Sequence, residues 1–250
     1  MAVPDAGRWR DDVQRSGLGL ARSADGAAAG DGRPLVQLPF ADRRAAGRDL
    51  ALRLMGHVGE DLLVLGLPRG GVVVADEVAR RLGAELDVFL VRKLGVPGRE
   101  ELAMGAVASG GVRILNRTVI ESLGVPWSAV EAATERAMRE IEERERTYRD
   151  DRPVAHVAGR VVVVVDDGLA TGATMRAALS ALRSMGPGRL VAAVPVAPPE
   201  VLPRLEREAD EVVCLATPEP FEAVGLWYRD FTPVSAEEVR QLLRAAREGR

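Results

Sequence analysis

A chain of 250 residues, 47% hydrophobic and 28% charged, is long enough to bury one full core, and a net charge of -3 excludes a broad nucleic-acid-binding surface, which needs a basic excess. One cysteine, Cys214, excludes an intrachain disulfide framework and a cysteine zinc site, while His57 and His156 lie far apart without other ligand-like neighbours. No apolar run approaches a membrane span and no signal-like hydrophobic region opens the chain, so a cytoplasmic protein with neither membrane nor nucleic-acid partner is expected.

Residues 1–33 mix Gly, Ala, Asp and Arg without periodicity and cannot bury enough surface to offset their ordering entropy, so a mobile, disordered tail is expected there. From Phe40 the pattern changes. Asp42 can cap a helix with Ala46, Leu50 and Leu54 on one stripe, ending near Gly56. Residues 62–67 form an apolar run suited to a central strand, which ends in Pro68-Arg69-Gly70-Gly71 before a helical pattern resumes over 72–82. Gly70 and Gly71 let backbone approach a ligand and Arg69 offers a guanidinium suited to phosphate oxygens, although a plain tight turn would use the same residues.

A third strand is expected over 86–91, with Arg92 and Lys93 at its carboxyl end. Residues 95–101, GVPGREE, then break periodicity, a composition suited to a loop that closes over a substrate. Residues 105–108 and 112–115 flank Ser109-Gly110-Gly111 as a small hairpin. Asn116 starts a short helix ending at Gly124. Ser128 with Glu131 forms a capping box for a longer helix along Val130, Ala133, Ala137, Ile141 and Tyr148, whose Glu and Arg pairs read as a solvated face.

Residues 161–174 read VVVVVDDGLATGAT. Five β-branched valines fit a strand buried on both faces, and the adjacent Asp166 and Asp167, pointing to opposite faces, belong at its carboxyl end, where open α/β sheets bind ligands. Gly168, Leu169, Ala170, Thr171, Gly172, Ala173 and Thr174 follow, and then Met175, Ala178, Leu179 and Leu182 recur at helical spacing. Unpaired amides at such a helix start can hold a phosphate. A Walker loop would carry lysine where Ala173 stands, and GLATGAT is not a GxGxxG fingerprint. Two carboxylates beside a phosphate nest suit a vicinal diol, which describes a ribose 5-phosphate.

Farther on, residues 190–196 and 211–215 read as strands, the second holding Cys214 as a small apolar residue, with Pro198-Pro199 and a helix through Arg207 between them. Residues 217–231 concentrate the scarce aromatics, most of them as packing for a last helix capped by Ser235 with Glu238, with Phe221 and Trp227 left for contact with a heterocycle. The strand-helix alternation predicts an α/β fold with a parallel, right-handed sheet.

The stretch VVVVVDDGLATGAT resembles the PRPP-binding motif of the type I phosphoribosyltransferases, an apolar strand, two acids and then TGxT. The resemblance covers about residues 60–215 and implies a parallel sheet with flanking helices and a small hood, here assigned to 34–59 and 216–250 of a domain spanning 34–250. It implies that Asp166 and Asp167 hold the ribose hydroxyls, that residues 168–174 wrap the 5-phosphate, and that Gly70, Gly71 and Arg69 form the pyrophosphate loop. RKLGVPGREE then stands at the flexible catalytic loop, with Lys93 offsetting the departing diphosphate and Glu100 or Glu101 handling a proton at the acceptor nitrogen. Mg²⁺ would arrive with PRPP and reach Asp166 or Asp167 through water.

The implied reaction is transfer of the 5-phosphoribosyl group from PRPP to a nitrogen acceptor, a nucleobase, with release of pyrophosphate, as in nucleotide metabolism. Ala170 stands where 6-oxopurine enzymes of the family carry a carboxylate, and is more similar to the adenine enzymes. A non-catalytic PRPP-sensing protein of the same fold is the alternative, and a homodimer is left open. A phosphatase or kinase-like enzyme is a third reading, without a nucleophile motif or Walker lysine to support it.

Overall fold

The five valines form β6 (Val161–Val165), and four of them are fully buried because the strand runs through the middle of a parallel sheet covered on both faces. A computed structural model of the protein describes residues 36–150 and 152–249, so the expected tail over 1–33 lies outside the described residues. Residue for residue, β6 pairs with β1 (Leu62–Gly66), Leu62 opposite Val161 and Gly66 opposite Val165. Beside β1 lies β2 (Glu85–Val88), and beyond β6 follow β7 (Arg189–Val196) and β8 (Glu211–Ala216), which gives the order β2-β1-β6-β7-β8. From β1 the chain steps one way along the sheet, and from β6 it steps the other. The two strands therefore flank the sheet's topological switch point, where open α/β folds have their ligand crevice.

Alternation along each strand decides which helices cover which face. Val163 and Val165 join one apolar cluster with α1 (Arg43–Arg53), α2 (Gly70–Leu82) and α7 (Ala236–Glu248). Val162 and Val164 join the other with α5 (Ala173–Ser184) and α6 (Leu202–Leu205). This is the parallel sheet with flanking helices that the alternation of patterns predicts.

Several boundaries differ from expectation. The predicted strand over 86–91 is two strands in two sheets: β2 ends at Val88, the chain turns through Phe89 and Leu90, and β3 (Val91–Val96) pairs antiparallel with β4 (Arg99–Ala108), which pairs with β5 (Val112–Leu115). Ser109 holds the turn, its amide donating to the Leu90 carbonyl and its hydroxyl accepting from the Leu90 amide. Arg92 and Lys93 thus lie within β3 and not at the end of a parallel strand. The expected loop over 95–101 is the tip of the β3–β4 hairpin, because Pro97-Gly98, with Gly98 at φ +74°, supplies the Pro-Gly signature of a type II turn. The hairpin predicted over 105–115 forms as β4 and β5.

Asn116 caps α3 (Arg117–Ser122), its side chain accepting from the Val119 amide. The Ser128–Glu131 capping box does not form. α4 (Trp127–Arg149) begins earlier, with the Pro126 carbonyl accepting from the Ala129 and Val130 amides, and Ser128 lies inside the first turn. The helix expected to run to Arg207 is a short turn, Pro199–Val201, followed by α6 alone. Asp42 and Ser235 cap α1 and α7 as predicted, although α1 ends at Arg53.

The face of α4 is solvated along most of its length, but its last residue is not. Arg149 is fully buried; its Nε donates to both oxygens of Asp87 at 3.0 and 3.1 Å, its Nη1 to Glu145, and its Nη2 to the Val88 carbonyl at the end of β2. Asp87 also accepts from the Val88 and Ala155 amides, so the charges at this junction of sheet, α4 and the following chain are compensated on every side. Removing one partner strands a buried charge. Arg149→Ala should cost about 3–5 kcal/mol, while Arg149→Met combined with Asp87→Leu should cost clearly less than the single change; equilibrium denaturation of the three proteins measures both.

Candidate functional site

Because β1 and β6 are in register, the loops that leave them start side by side. The Leu67 amide donates to the Val165 carbonyl at 2.8 Å, tying the two exits together. Backbone approach beyond this point is unusually close. A Cβ on Gly70 would lie 1.9 Å from Asp167 Oδ2, and one on Gly71 would lie 2.7 Å from the Val165 carbonyl oxygen and 3.0 Å from Asp166 Oδ1. Glycine at both positions is a condition of the two loops meeting.

The acids between them are half-buried and unequally compensated. Asp166 Oδ1 accepts from the Asp167 amide at 2.9 Å, and Asp167 Oδ2 accepts from Arg43 Nε at 2.6 Å. Each carboxylate thus has one tied oxygen. Among the described residues no donor reaches Asp166 Oδ2 or Asp167 Oδ1, and neither belongs to the buried unpartnered atoms, so both open toward solvent. Burial, and then the charge of the neighbouring Asp167, push the Asp166 carboxyl well above the ordinary aspartate range. The Tyr228 hydroxyl donates to the Asp167 carbonyl and pins the backbone of the pair.

Residues 168–174 curve from the acids into the start of α5. Gly172, at φ +70°, is the residue before the helix, and a Cβ there would meet Val201 at 2.6 Å. A Cβ on Gly168 would meet Val224 at 2.5 Å and Val196 at 2.9 Å. The loop is therefore packed from behind, while Ala170, Thr171, Ala173 and Thr174 are exposed on its open side. Thr171 Oγ1 accepts from the Ala173 amide at 3.4 Å, and the remaining first-turn amides of this 12-residue helix face no intrahelical acceptor. An anion is the natural partner for such a cup.

The structure thus brings Asp166, Asp167, Gly70, Gly71 and the 168–174 loop into one crevice. The helix expected over 72–82 begins at Gly70, so the two glycines form the first residues of α2 and not a turn before it, and Arg69, at its N-cap, is exposed and makes no ion pair among the described residues. Lys93 and Glu101 make no hydrogen bond or ion pair with the acids among the described residues: Lys93 Nζ donates to the Glu101 carbonyl at 3.2 Å and lies 3.5 Å from its carboxylate, across the β3–β4 hairpin, and Arg92 pairs with Glu140 of α4 at 2.7 Å.

Sequence reasoning missed Arg43, Tyr228 and Phe231 at the site. Arg43 and Asp167 are 124 positions apart, and an arginine at the start of a helix carries no local mark of such a contact. The aromatics of 217–231 form a small cluster with Phe40 and not with the last helix: Phe40 on Tyr228, Tyr228 on Phe231, and Phe221 on Trp227, the two residues set aside for a heterocycle. Cys214 is half-buried in β8, its thiol pushed up to about 11 by burial. A cleft of about 320 Å³ adjoins Arg43, lined also by Asp42, Arg44, Asp230 and Glu238, and neither acid of the pair lines it.

A crevice of this build at the switch point of a parallel sheet has a counterpart in known sequences. Residues 42–226 match the phosphoribosyl transferase domain, and the chain belongs to that family. It is 48% identical over 207 residues to a Mycobacterium tuberculosis protein named "Putative phosphoribosyl transferase Rv0571c", a match that covers 83% of this chain and 47% of that one, so the chain spans about half the length of this relative. Over 144 residues it is 33% identical to the "Bifunctional protein PyrR" of Chloroflexus aurantiacus, covering 56% of this chain and 72% of the relative. The crystal structure of TT1426 from Thermus thermophilus superposes with a TM-score of 0.75 at 51% identity, over 82% of this chain and 97% of that one.

Two outcomes follow from the crowding at the acids. Gly70→Ala, which drives a methyl group into Asp167, should destabilise the fold by about 1–3 kcal/mol, whereas Gly56→Ala, with open space around it, should not; denaturant titration compares them. The raised pKa of Asp166 means that the folded chain holds this proton more tightly than the unfolded one, so the contribution favours folding at acid pH and is lost as pH climbs from 3.8 through the folded value. Asp166→Asn should therefore raise Tm increasingly toward alkaline pH, by roughly 2–4 °C per kcal/mol relieved. A Tm difference independent of pH would mean that Asp166 carries no such penalty.

Proposed function

We propose that the chain transfers the 5-phosphoribosyl group from PRPP to a nitrogen acceptor, a nucleobase, and releases pyrophosphate. The observation that carries this reading is the pair of open oxygens, Asp166 Oδ2 and Asp167 Oδ1, on acids flanked by the start of α5 and the two-glycine start of α2. Two outward carboxylate oxygens match two vicinal hydroxyls as acceptors match donors. Of the expected cup over Gly168, Leu169, Ala170, Thr171, Gly172, Ala173 and Thr174, the exposed Ala170, Thr171, Ala173 and Thr174 and the free first-turn amides of α5 take the 5-phosphate, Leu169 being buried with its amide on the Val196 carbonyl. The amides of Gly70 and Gly71 at the start of α2 take the diphosphate, with the exposed Arg69 guanidinium beside them.

In the transfer, the bond from the anomeric carbon to the diphosphate oxygen breaks with its electron pair going to the leaving group. The acceptor nitrogen forms the new bond on the opposite face and loses its proton. Positive charge grows on the sugar ring as this happens, and the carboxylates below it stabilise that charge. Lys93 meets the departing diphosphate and Glu101 receives the acceptor proton once the β3–β4 hairpin bends over the crevice; the exposure of Arg99 through Leu102 leaves the hairpin tip free to do so.

Mg²⁺ bound with the substrate would offset diphosphate charge. The donor set fits that manner of binding, since the two open carboxylate oxygens can accept from the waters of a hydrated ion. No helix among the described residues is long and apolar enough to cross a membrane. Of the hood expected over 34–59 and 216–250, α1 and α7 pack into the main core on the sheet, which leaves the 36–42 and 217–232 segments, joined through a Phe40–Tyr228 bridge, to supply it on this reading.

A second reading is a regulatory protein that binds PRPP without turning it over, favoured by the pairing of Lys93 with Glu101 and with neither acid of the crevice. Incubation with PRPP, Mg²⁺ and a panel of nucleobases separates the two: pyrophosphate release with one base supports transfer, and tight binding without release for every base supports sensing. Under either reading Asp167→Asn should weaken PRPP binding by about 1.5–3 kcal/mol. Unchanged affinity by titration calorimetry, with Tm preserved, would take the sugar away from this acid.

A further inference from the structure

Arg43 sits where a helix least favours it. It is the first residue of α1, at the positive end of the helix dipole, and α1 already has its cap in Asp42 and its packing stripe in Ala46, Leu50 and Ala51. Its side chain is nonetheless about nine-tenths buried and held on three sides: Nε on Asp167 Oδ2 at 2.6 Å, Nη1 on the Thr232 carbonyl at 2.9 Å, and the guanidinium carbon 3.8 Å from the centre of the Phe231 ring. A desolvated ion pair of this kind gives little net stability, because the cost of stripping water from both charges offsets their attraction. Three independent contacts fix the planar fork in one orientation, which a lysine ammonium could not match.

We infer that Arg43 is a positioning residue for the sugar site. By holding Oδ2 against the Gly70 backbone it turns Asp167 so that Oδ1 is the oxygen presented to the crevice, and it gives the acid pair its only cationic contact among the described residues. This rests on the phosphoribosyl reading above. The assignment weights the two halves of the proposed substrate differently: the diol depends on Arg43 through Asp167, whereas the diphosphate meets the amides at the start of α2 and Arg69, and Arg43, although its Nε lies 2.8 Å from where a Gly70 Cβ would stand, turns its Nη1 and ring-stacked face away toward Thr232 and Phe231.

The test is calorimetric titration of the full chain with Mg²⁺–PRPP and, separately, with Mg²⁺–pyrophosphate. In Arg43→Gln the dissociation constant for PRPP should rise about tenfold while that for pyrophosphate stays within about twofold of the parent chain, a split that general loosening of the fold cannot produce. Arg43→Lys, which keeps the charge and loses the fork, should fall between the two, and it carries the same comparison should the glutamine variant not fold. Arg44→Gln, on the adjacent residue that pairs with Asp76 and Glu77, should leave both constants alone. Equal losses for both ligands, or full PRPP affinity in both Arg43 variants, would overturn the positioning role and leave the phosphoribosyl reading standing. Failure of the parent chain to bind PRPP while it still binds pyrophosphate would remove that reading, and the role with it.

Discussion

A single methyl group at residue 70 would overlap Asp167 almost completely, and most of what is particular to this site follows from that lack of room. Two parallel strands in strict register end at the same height, and a sheet that is covered on both faces leaves its loops only one direction in which to go. The loops can share the crevice because one of them has no side chains where they touch. Glycine at 70 and 71 is thus a packing requirement before it is anything else, and the same absence of side chains leaves bare amides facing a ligand.

Crowding sets the electrostatics as well. Two carboxylates on successive residues cannot both keep their water, and the structure resolves the conflict asymmetrically, with a buried guanidinium on one acid and only a backbone amide on the other. Asp166 is left as a group that the fold would rather see protonated. A chain selected for stability alone would replace it, since buried like charges at a strand end add nothing to packing. Their presence beside an open anion cup is more readily understood as a binding requirement that the sheet on either side is stable enough to carry.

Much of this was legible because it is local. Five valines, two acids and a glycine-bearing turn carry their own geometry: a strand buried on both faces, a strand end, a helix start. The PRGG turn was legible in part for the same reason, although its two glycines open α2 and do not precede it. What escaped depends on contacts across the chain. The division of residues 86–96 between two sheets turns on Ser109, Arg149 and the Leu90 backbone, none of which a reading of 86–91 brings into view. The Pro97-Gly98 pair reads equally as loop or hairpin turn until its flanks are seen to pair. The Ser128 box lost to a proline carbonyl two residues earlier, since local capping patterns compete and the first residue able to accept the helix's opening bonds sets its start.

The two sheets also divide the labour that the proposed reaction needs. Sugar and phosphate would bind to elements fixed by packing on both sides, with no side chain obliged to move. Lys93 and Glu101 stand on the smaller antiparallel sheet, near a tip whose residues are exposed, and they partner each other. An ion pair so open to water contributes little to stability, because screening and side-chain entropy take back most of the attraction. Exchanging Glu101 for a diphosphate oxygen would therefore cost Lys93 little, and the incoming ligand carries more negative charge than the carboxylate it displaces. The pair lies within the hairpin, whose base is held by the buried Leu94 and Val96 and by Arg92 on Glu140, so only the exposed tip is free to bend. Under the proposed reaction, recognition of the substrate would reside in the parallel sheet and the proton and leaving-group chemistry at the hairpin tip.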